Sequence, residues 1–202
     1  MVYTDGKRIL AARDPVGVRP MFYTRYTKGS IAFASEAKAL MFLETPIHIF
    51  PPGHFYDSFV DSFICYHTGY WNIHKFSTTK NLERIRHALE DSVHMRLDNT
   101  DREIGFLLSG GLDSSIISAY VSRYYKEKTG GILQTYSIGL EGSDDLRYAK
   151  LVAEHIGSLH TSVQVTNEDF IQSIPDVIQD IESYDTTTVR ASVGNWNMGK
   201  YI

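Results

Sequence analysis

The stretch from Glu103 to Tyr124 constrains this chain more than any other: Glu-Ile-Gly-Phe-Leu-Leu-Ser-Gly-Gly-Leu-Asp-Ser-Ser-Ile-Ile-Ser-Ala-Tyr-Val-Ser-Arg-Tyr. Ile104, Phe106, Leu107 and Leu108 make an apolar run that suits a strand buried on both faces and is too short for a helix. Ser109-Gly110-Gly111 stops it. Ile116, Ile117, Ala119, Tyr120, Val121 and Tyr124 then recur at helical spacing, so the segment reads strand, glycine turn, helix. Such a turn is an anion site: glycines let backbone approach a ligand, and the free amides and dipole of the first helical turn favour negative charge. Ser109, Ser114 and Ser115 add hydroxyls. No lysine follows, as it would in the common mononucleotide loop. Asp113 stands there instead, and a carboxylate beside a polyphosphate needs a divalent cation between them. The residues therefore point to a magnesium-pyrophosphate site. A second reading of the same residues is a plain tight turn in which Asp113 and Ser114 only cap the helix.

Ser109-Gly110-Gly111-Leu112-Asp113-Ser114 resembles the pyrophosphate loop (PP-loop) of the ATP pyrophosphatase superfamily, and the wider chain resembles the glutamine-hydrolysing asparagine synthetases within it. Ile138-Gly139-Leu140 with Gly142-Ser143-Asp144-Asp145-Leu146, and Ile181 through Ser192, resemble two further signatures of that family in the expected order. Upstream, Arg13-Asp14-Pro15-Val16-Gly17-Val18-Arg19-Pro20 and Ser35-Glu36-Ala37-Lys38-Ala39-Leu40 resemble the end of its glutaminase domain. The resemblance implies an α/β fold, a PP-loop parallel sheet with flanking helices like the adenine nucleotide α-hydrolases. Ahead of it would stand the truncated antiparallel sheet of a class II glutamine amidotransferase. It implies residues 1–75 as the end of the glutaminase domain and 76–202 as the first part of the synthetase domain.

By the same resemblance, ATP and Mg2+ are the cofactors, and the activity is amidation of aspartate through a β-aspartyl-adenylate, with nitrogen from glutamine or ammonia. Leu108 and Ile138, with Gly139, flank the adenine and ribose. Ser109, Gly110, Gly111, Asp113 and Ser114 hold the β- and γ-phosphates, with Asp113 on the metal. Thr187, Thr188 and Arg190 match catalytic positions lining the adenylate pocket; Arg190 offers a fork for phosphate or carboxylate. The family's N-terminal cysteine nucleophile, its later serine-glycine-acid loop and its catalytic lysine have no counterpart in these 202 residues. The expectation is therefore the middle of a longer protein, making no asparagine by itself. A β-lactam-forming synthetase shares the layout, and a nucleotide-binding remnant without activity is a reading of another class. RNA-modifying adenylating enzymes use similar loops, but the acidic balance and the hairpins upstream disfavour them.

Composition narrows the partners. A net charge of -4 with scattered Lys and Arg argues against a nucleic-acid surface. No apolar run approaches the roughly 18 residues of a membrane span, so the expectation is a cytoplasmic protein acting on small molecules, with no membrane partner. The one cysteine, Cys65, cannot form an internal disulfide and is expected as a small buried hydrophobe. A homodimer stays open.

The first 70 residues read as hairpins: Val2-Tyr3 with Ile9 to Ala12 around Asp5-Gly6, Met21 to Tyr23 with Ile31 to Phe33 around Lys28-Gly29, and Gly53 to Tyr56 with Phe63 to Tyr66. Ser35 is expected to cap a short helix through Leu43. Trp71, Asn72, Lys75 and Ser77-Thr78-Thr79 mark a joint, with Thr79 capping the next helix. That helix is expected to turn Leu82, Ile85, Leu89 and Val93 inward and Arg84, Arg86, Glu90 and Asp91 to water. His87 and His94 read as surface or boundary residues. Strands near 133–138 and 160–165 alternate with helices near 146–156 and from Asn167, with Phe170, Ile174, Val177, Ile178 and Ile181 inward and Pro175 restarting the last one. Alternation of this kind means a parallel sheet, with ligands at the carboxyl ends of its strands.

Overall fold

The computed structural model describes residues 1–68 and 81–202, so the joint at Trp71, Asn72, Lys75 and Ser77 to Thr79 lies outside the described residues. The chain divides into two compact units, Met1–Thr78 and Thr79–Ile202.

The first unit holds two antiparallel sheets. β1 (Val2–Thr4) pairs with β2 (Ile9–Ala12), which pairs with β6 (His54–Asp57), which pairs with β7 (Ser62–Cys65). A second sheet runs β4 (Ser30–Ala34), β3 (Phe22–Tyr26), β5 (His48–Ile49). All three expected hairpins are present, and β5 is a strand the sequence pattern did not signal. An aromatic core fills this unit: Phe50 is fully buried beside Met21 and Tyr56, with Phe63 5.1 Å and Phe33 5.9 Å from it between ring centroids. The Arg13-Asp14 segment folds into a loop on its own backbone. The Arg13 guanidinium donates to the carbonyls of Phe50 (2.7 Å), Arg19 and Gly17. The Asp14 carboxylate accepts amides from Val16 through Arg19, and those of Val18 and Arg19 chiefly hold it below the usual carboxylate range.

Two expectations fail in this unit. Residues Ala37–Leu43 form a 3-10 helix, with Glu36 rather than Ser35 at its start and no capping bond from that side chain, which lies 3.3 Å from Lys38 instead. Cys65 is exposed, because β7 is the last strand of its sheet and the core ends at Phe63, two residues earlier on the same face.

The second unit is built on a three-stranded parallel sheet in the order β10 (Leu159–Val165), β9 (Gln134–Leu140), β8 (Gly105–Leu107). α1 (Leu82–Asp98) precedes it, α2 (Leu112–Thr129) joins β8 to β9, and α3 (Asp144–Ile156) joins β9 to β10. α4 (Asn167–Ile181) and α5 (Thr186–Tyr201) follow. Side chains alternate across β9. Gly139 faces α3, where an added Cβ would stand 3.1 Å from Leu146, while Ile138 faces α5, against Gly194. Three cores result: Val93, Leu97, Val121 and Leu133 between α1 and α2; Leu108, Ala149 and Ala153 under α3; Val177, Val189 and Val193 between α4 and α5.

Here too the structure departs from the pattern. β8 is an edge strand, so Leu107 is 45% exposed rather than buried on both sides. Asn81 caps α1 by accepting the Arg84 amide at 2.9 Å. Leu82 and Ile85 lie exposed in its first turns, and burial falls instead on Val93 and Leu97, where α2 covers the helix. Glu90 is not on the wet side: Arg86 at 3.1 Å and Arg123 at 3.2 Å close over it, and Arg86 chiefly holds its carboxyl below the usual range. His94 stacks on Tyr124 at 3.9 Å between ring centroids, and His87 is exposed. α4 runs through Pro175 without restarting. The bond a proline removes is to the carbonyl four residues back, here Ile171, and both residues lie on the exposed face, where water can take that carbonyl. For the same reason Ile174 stays partly exposed. No helix among the described residues is long and apolar enough to cross a membrane.

Candidate functional site

The chain leaves β8 through Leu108, whose amide still bonds the Tyr136 carbonyl at 2.8 Å, and turns at Ser109-Gly110-Gly111 into α2. Gly110 sits at φ +77°, and a Cβ there would stand 2.5 Å from the Ala149 nitrogen and 2.6 Å from the Tyr148 Cβ. Only glycine fits. The turn is pressed onto the middle of α3, leaving its other side free. No side chain caps α2. Its first internal bond is Ser115 N–H to Gly111 O at 3.0 Å, so the amides of Leu112, Asp113 and Ser114 point outward without an intrahelical acceptor. Hydroxyls brace the loop: Ser109 Oγ lies 2.9 Å from Ser114 Oγ and accepts the Gly111 amide at 3.3 Å, and Ser114 Oγ donates to Gly111 O at 3.1 Å. The Asp113 side chain is exposed in the first turn, beside these open amides.

Next to the turn is a cavity of about 260 Å³ lined by Leu107, Leu108, Ser109, Tyr136, Ser137, Ile138 and Asp145, with Asn195 and Met198 from α5. A second, of about 510 Å³, shares Ile138 and Asp145 and continues past Gly139 to Ser143, Phe170 and Arg190. The structure thus gathers Leu108, Ser109 and Ile138 at one cavity and Ile138, Gly139 and Arg190 at its neighbour, both at the carboxyl ends of β8 and β9. Gly110, Gly111, Asp113 and Ser114 form the turn beside them. Thr187 and Thr188 line neither cavity; they are exposed in the first turn of α5, where Thr188 donates both its amide and its hydroxyl to the capping Asp185 carboxylate at 2.8 Å.

Asn195 and Met198 line the first cavity without having been singled out in the sequence, and Asp145 stood there in the second family signature without an assigned role. Asp145 had a signal: an acidic residue just after the second strand, at the helix start where ligands in such sheets bind. Nothing local marks the other two. The Ser143 hydroxyl, at the rim of the second cavity, is buried without a partner. No group of three or more His, Cys, Asp or Glu among the described residues could hold a metal alone. Magnesium is commonly held by one or two carboxylates with phosphate and water, and the exposed Asp113 beside free amides suits that mode.

A glycine turn at the strand ends of a parallel α/β unit, with open amides and a cavity alongside, follows an antiparallel unit in the chain, which defines a two-part architecture. Residues 84–202 match the family model "Asparagine synthase", and residues 1–83 match "Glutamine amidotransferase domain". The chain belongs to the asparagine synthase family. It is 39% identical over 228 residues to human asparagine synthetase [glutamine-hydrolyzing], covering 98% of this chain and 40% of that protein. It is 38% identical to asparagine synthetase [glutamine-hydrolyzing] 2 of Oryza sativa, covering 98% and 34%, and 40% identical to the Asparagus officinalis enzyme, covering 98% and 35%. The chain thus spans between a third and two fifths of these relatives' length.

Proposed function

We propose that residues 76–202 form the nucleotide-holding part of a PP-loop synthetase domain, and that the protein to which they contribute makes asparagine. In that reaction ATP activates the aspartate side-chain carboxylate as an adenylate, pyrophosphate leaves, and nitrogen from glutamine or ammonia completes the amide. Residues 1–75 would be the closing part of the glutaminase domain, and the setting would be the cytoplasm. The observation that carries this reading is the Gly110 turn: backbone seated against α3, three outward amides, and the Leu108 and Ile138 cavity beside it.

Each residue has a part in it. Leu108 and Ile138 flank the adenosine, with the Gly139 backbone alongside. Ser109, Gly110, Gly111 and Ser114 surround the β- and γ-phosphates. Fixed amides aimed at the leaving group favour the transition state as its charge grows. Magnesium, held by Asp113, would neutralise the same charge. Arg190, which shares a cavity with Ile138, would orient the carboxylate or the α-phosphate bidentately. Thr187 and Thr188 would act at the adenylate end, and the engaged hydroxyl of Thr188 gives that residue mainly the task of holding the α5 start toward the site.

The test is calorimetric titration of ATP with magnesium into the wild-type chain and into Asp113→Ala. The expected outcome is binding by the wild type that weakens at least about tenfold in the variant. Equal affinity in both, or binding by neither, would leave a family member that does not use this turn for nucleotide.

A further inference from the structure

We propose that the groove between α3 and β10 is a second small-molecule site, complementary to a free α-amino acid in its zwitterionic form. The groove has a volume of about 320 Å³ and is lined by Lys150, Ala153, Glu154, Ser158, His160 and Ser162. That volume is at the small end of ligand pockets, the size for a small metabolite. It lies on the α3 face of the sheet, where Thr135 pairs with His160 and Ser137 with Ser162. Tyr136 and Ile138, which line the cavities near Ser109, alternate with those residues and point the other way. Ser137 also lines the cavity beside Ser109, so the two meet at that residue, while Lys150, Glu154, Ser158, His160 and Ser162 line this groove alone.

Its floor is fixed by a network of hydroxyls around one imidazole. His160 Nδ1 lies 2.9 Å from the fully buried Thr135 Oγ1, and Nε2 lies 3.0 Å from Ser137 Oγ. Thr135 in turn lies 2.8 Å from Ser158 Oγ, and Ser137 Oγ donates to Ser162 Oγ at 3.3 Å. Burial, aided by the charge of Lys150, holds His160 below its ordinary range. The ring is therefore neutral near pH 7, with one N–H for its two hydroxyl partners. Ser162 is exposed and engaged through one lone pair only, so its proton is free for a ligand. Gly157, at φ +67°, ends α3 and brings Ser158 to the groove.

The rim supplies the charges. Lys150 and Glu154 are one turn apart on α3, close enough for an ion pair, but the lysine comes first, the weaker order for such a pair. They are not paired with each other or with any other charge among the described residues. An unpaired ammonium and an unpaired carboxylate over a hydroxyl floor match a ligand carrying both signs. The ligand's carboxylate meets Lys150, its ammonium meets Glu154, and a short polar side chain reaches Ser158 and Ser162. A simple anion would face Glu154 and a simple cation Lys150.

Titration of the 15N-labelled 202-residue chain tests this, with L-asparagine as the zwitterion, succinamate lacking the ammonium, and L-asparaginamide lacking the carboxylate. The expected result is amide shifts at Ser158 to Ser162 with L-asparagine and none with the other two. Lys150→Met and Glu154→Gln, both at exposed positions, should each weaken binding about tenfold or more. Three results would overturn the proposal: no shifts at Ser158 to Ser162 with L-asparagine, equal shifts with succinamate, or shifts that Lys150→Met leaves unchanged.

Discussion

Gly110 and Asp113 are three residues apart and should respond oppositely to substitution. Gly110→Ala forces a positive φ on alanine and drives its Cβ into the backbone of α3, which cannot yield as a side-chain tip would. The expected cost is at least about 1–3 kcal/mol, read as a lower urea midpoint with unchanged slope. Asp113→Ala removes an exposed carboxylate near a helix start and should cost no more than about 1 kcal/mol, while nucleotide binding in the titration described above weakens about tenfold or more. Leu108, Ser109, Ile138 and the glycines were legible in the sequence because strand, turn and helix follow one another along the chain and fix their positions locally. Asn195 and Met198 were not, since α5 brings them in by packing, and packing leaves no local mark. Cys65 shows the converse error: a hydrophobe-like residue in a strand pattern says which face it shares, not whether that face is covered.

Among the elements, the order of the main strands and helices was readable, but β5, the 3-10 winding of Ala37–Leu43 and the unbroken run of α4 through Pro175 were not, and neither was exposure. Periodicity placed Leu82 and Ile85 on the same stripe of α1 as Val93, yet α2 covers only the later turns. The same covering makes Leu133 a strong test of this unit. It is 1% exposed between α1 and α2, and Leu133→Ala should cost about 2–5 kcal/mol in urea unfolding. Pro175 gives a prediction of the opposite sign. Because α4 runs unbroken through it, Pro175→Ala restores a helical bond at Ile171. The variant should be more stable by about 1–2 kcal/mol, after allowing for the greater freedom alanine gives the unfolded chain.

For the molecule as a whole, the succession of hairpins and then βα alternation was legible because each pattern has its own period. The pH response was not, because it depends on what tertiary structure sets around His160. Its folded pKa lies below the ordinary 6.5, so the unfolded chain takes up the proton first. The stability this group contributes is full above about pH 6.5 and is lost as pH falls from there toward the folded value. The wild type should therefore melt lower at about pH 5.5 than at about pH 7.5, and His160→Gln should show a smaller difference. The carboxylates of Asp57 and Asp98, depressed by Arg8 and Lys128, lose their contributions only as pH falls below the ordinary 3.8, so the two windows separate. One last consequence comes from the outermost position of β8 in its sheet. A ribbon of polypeptide whose peptide groups are satisfied on one flank only invites a second ribbon to zip along the other. Concentrated solutions of the 202-residue chain should accordingly self-associate, and light scattering across a dilution series would detect it.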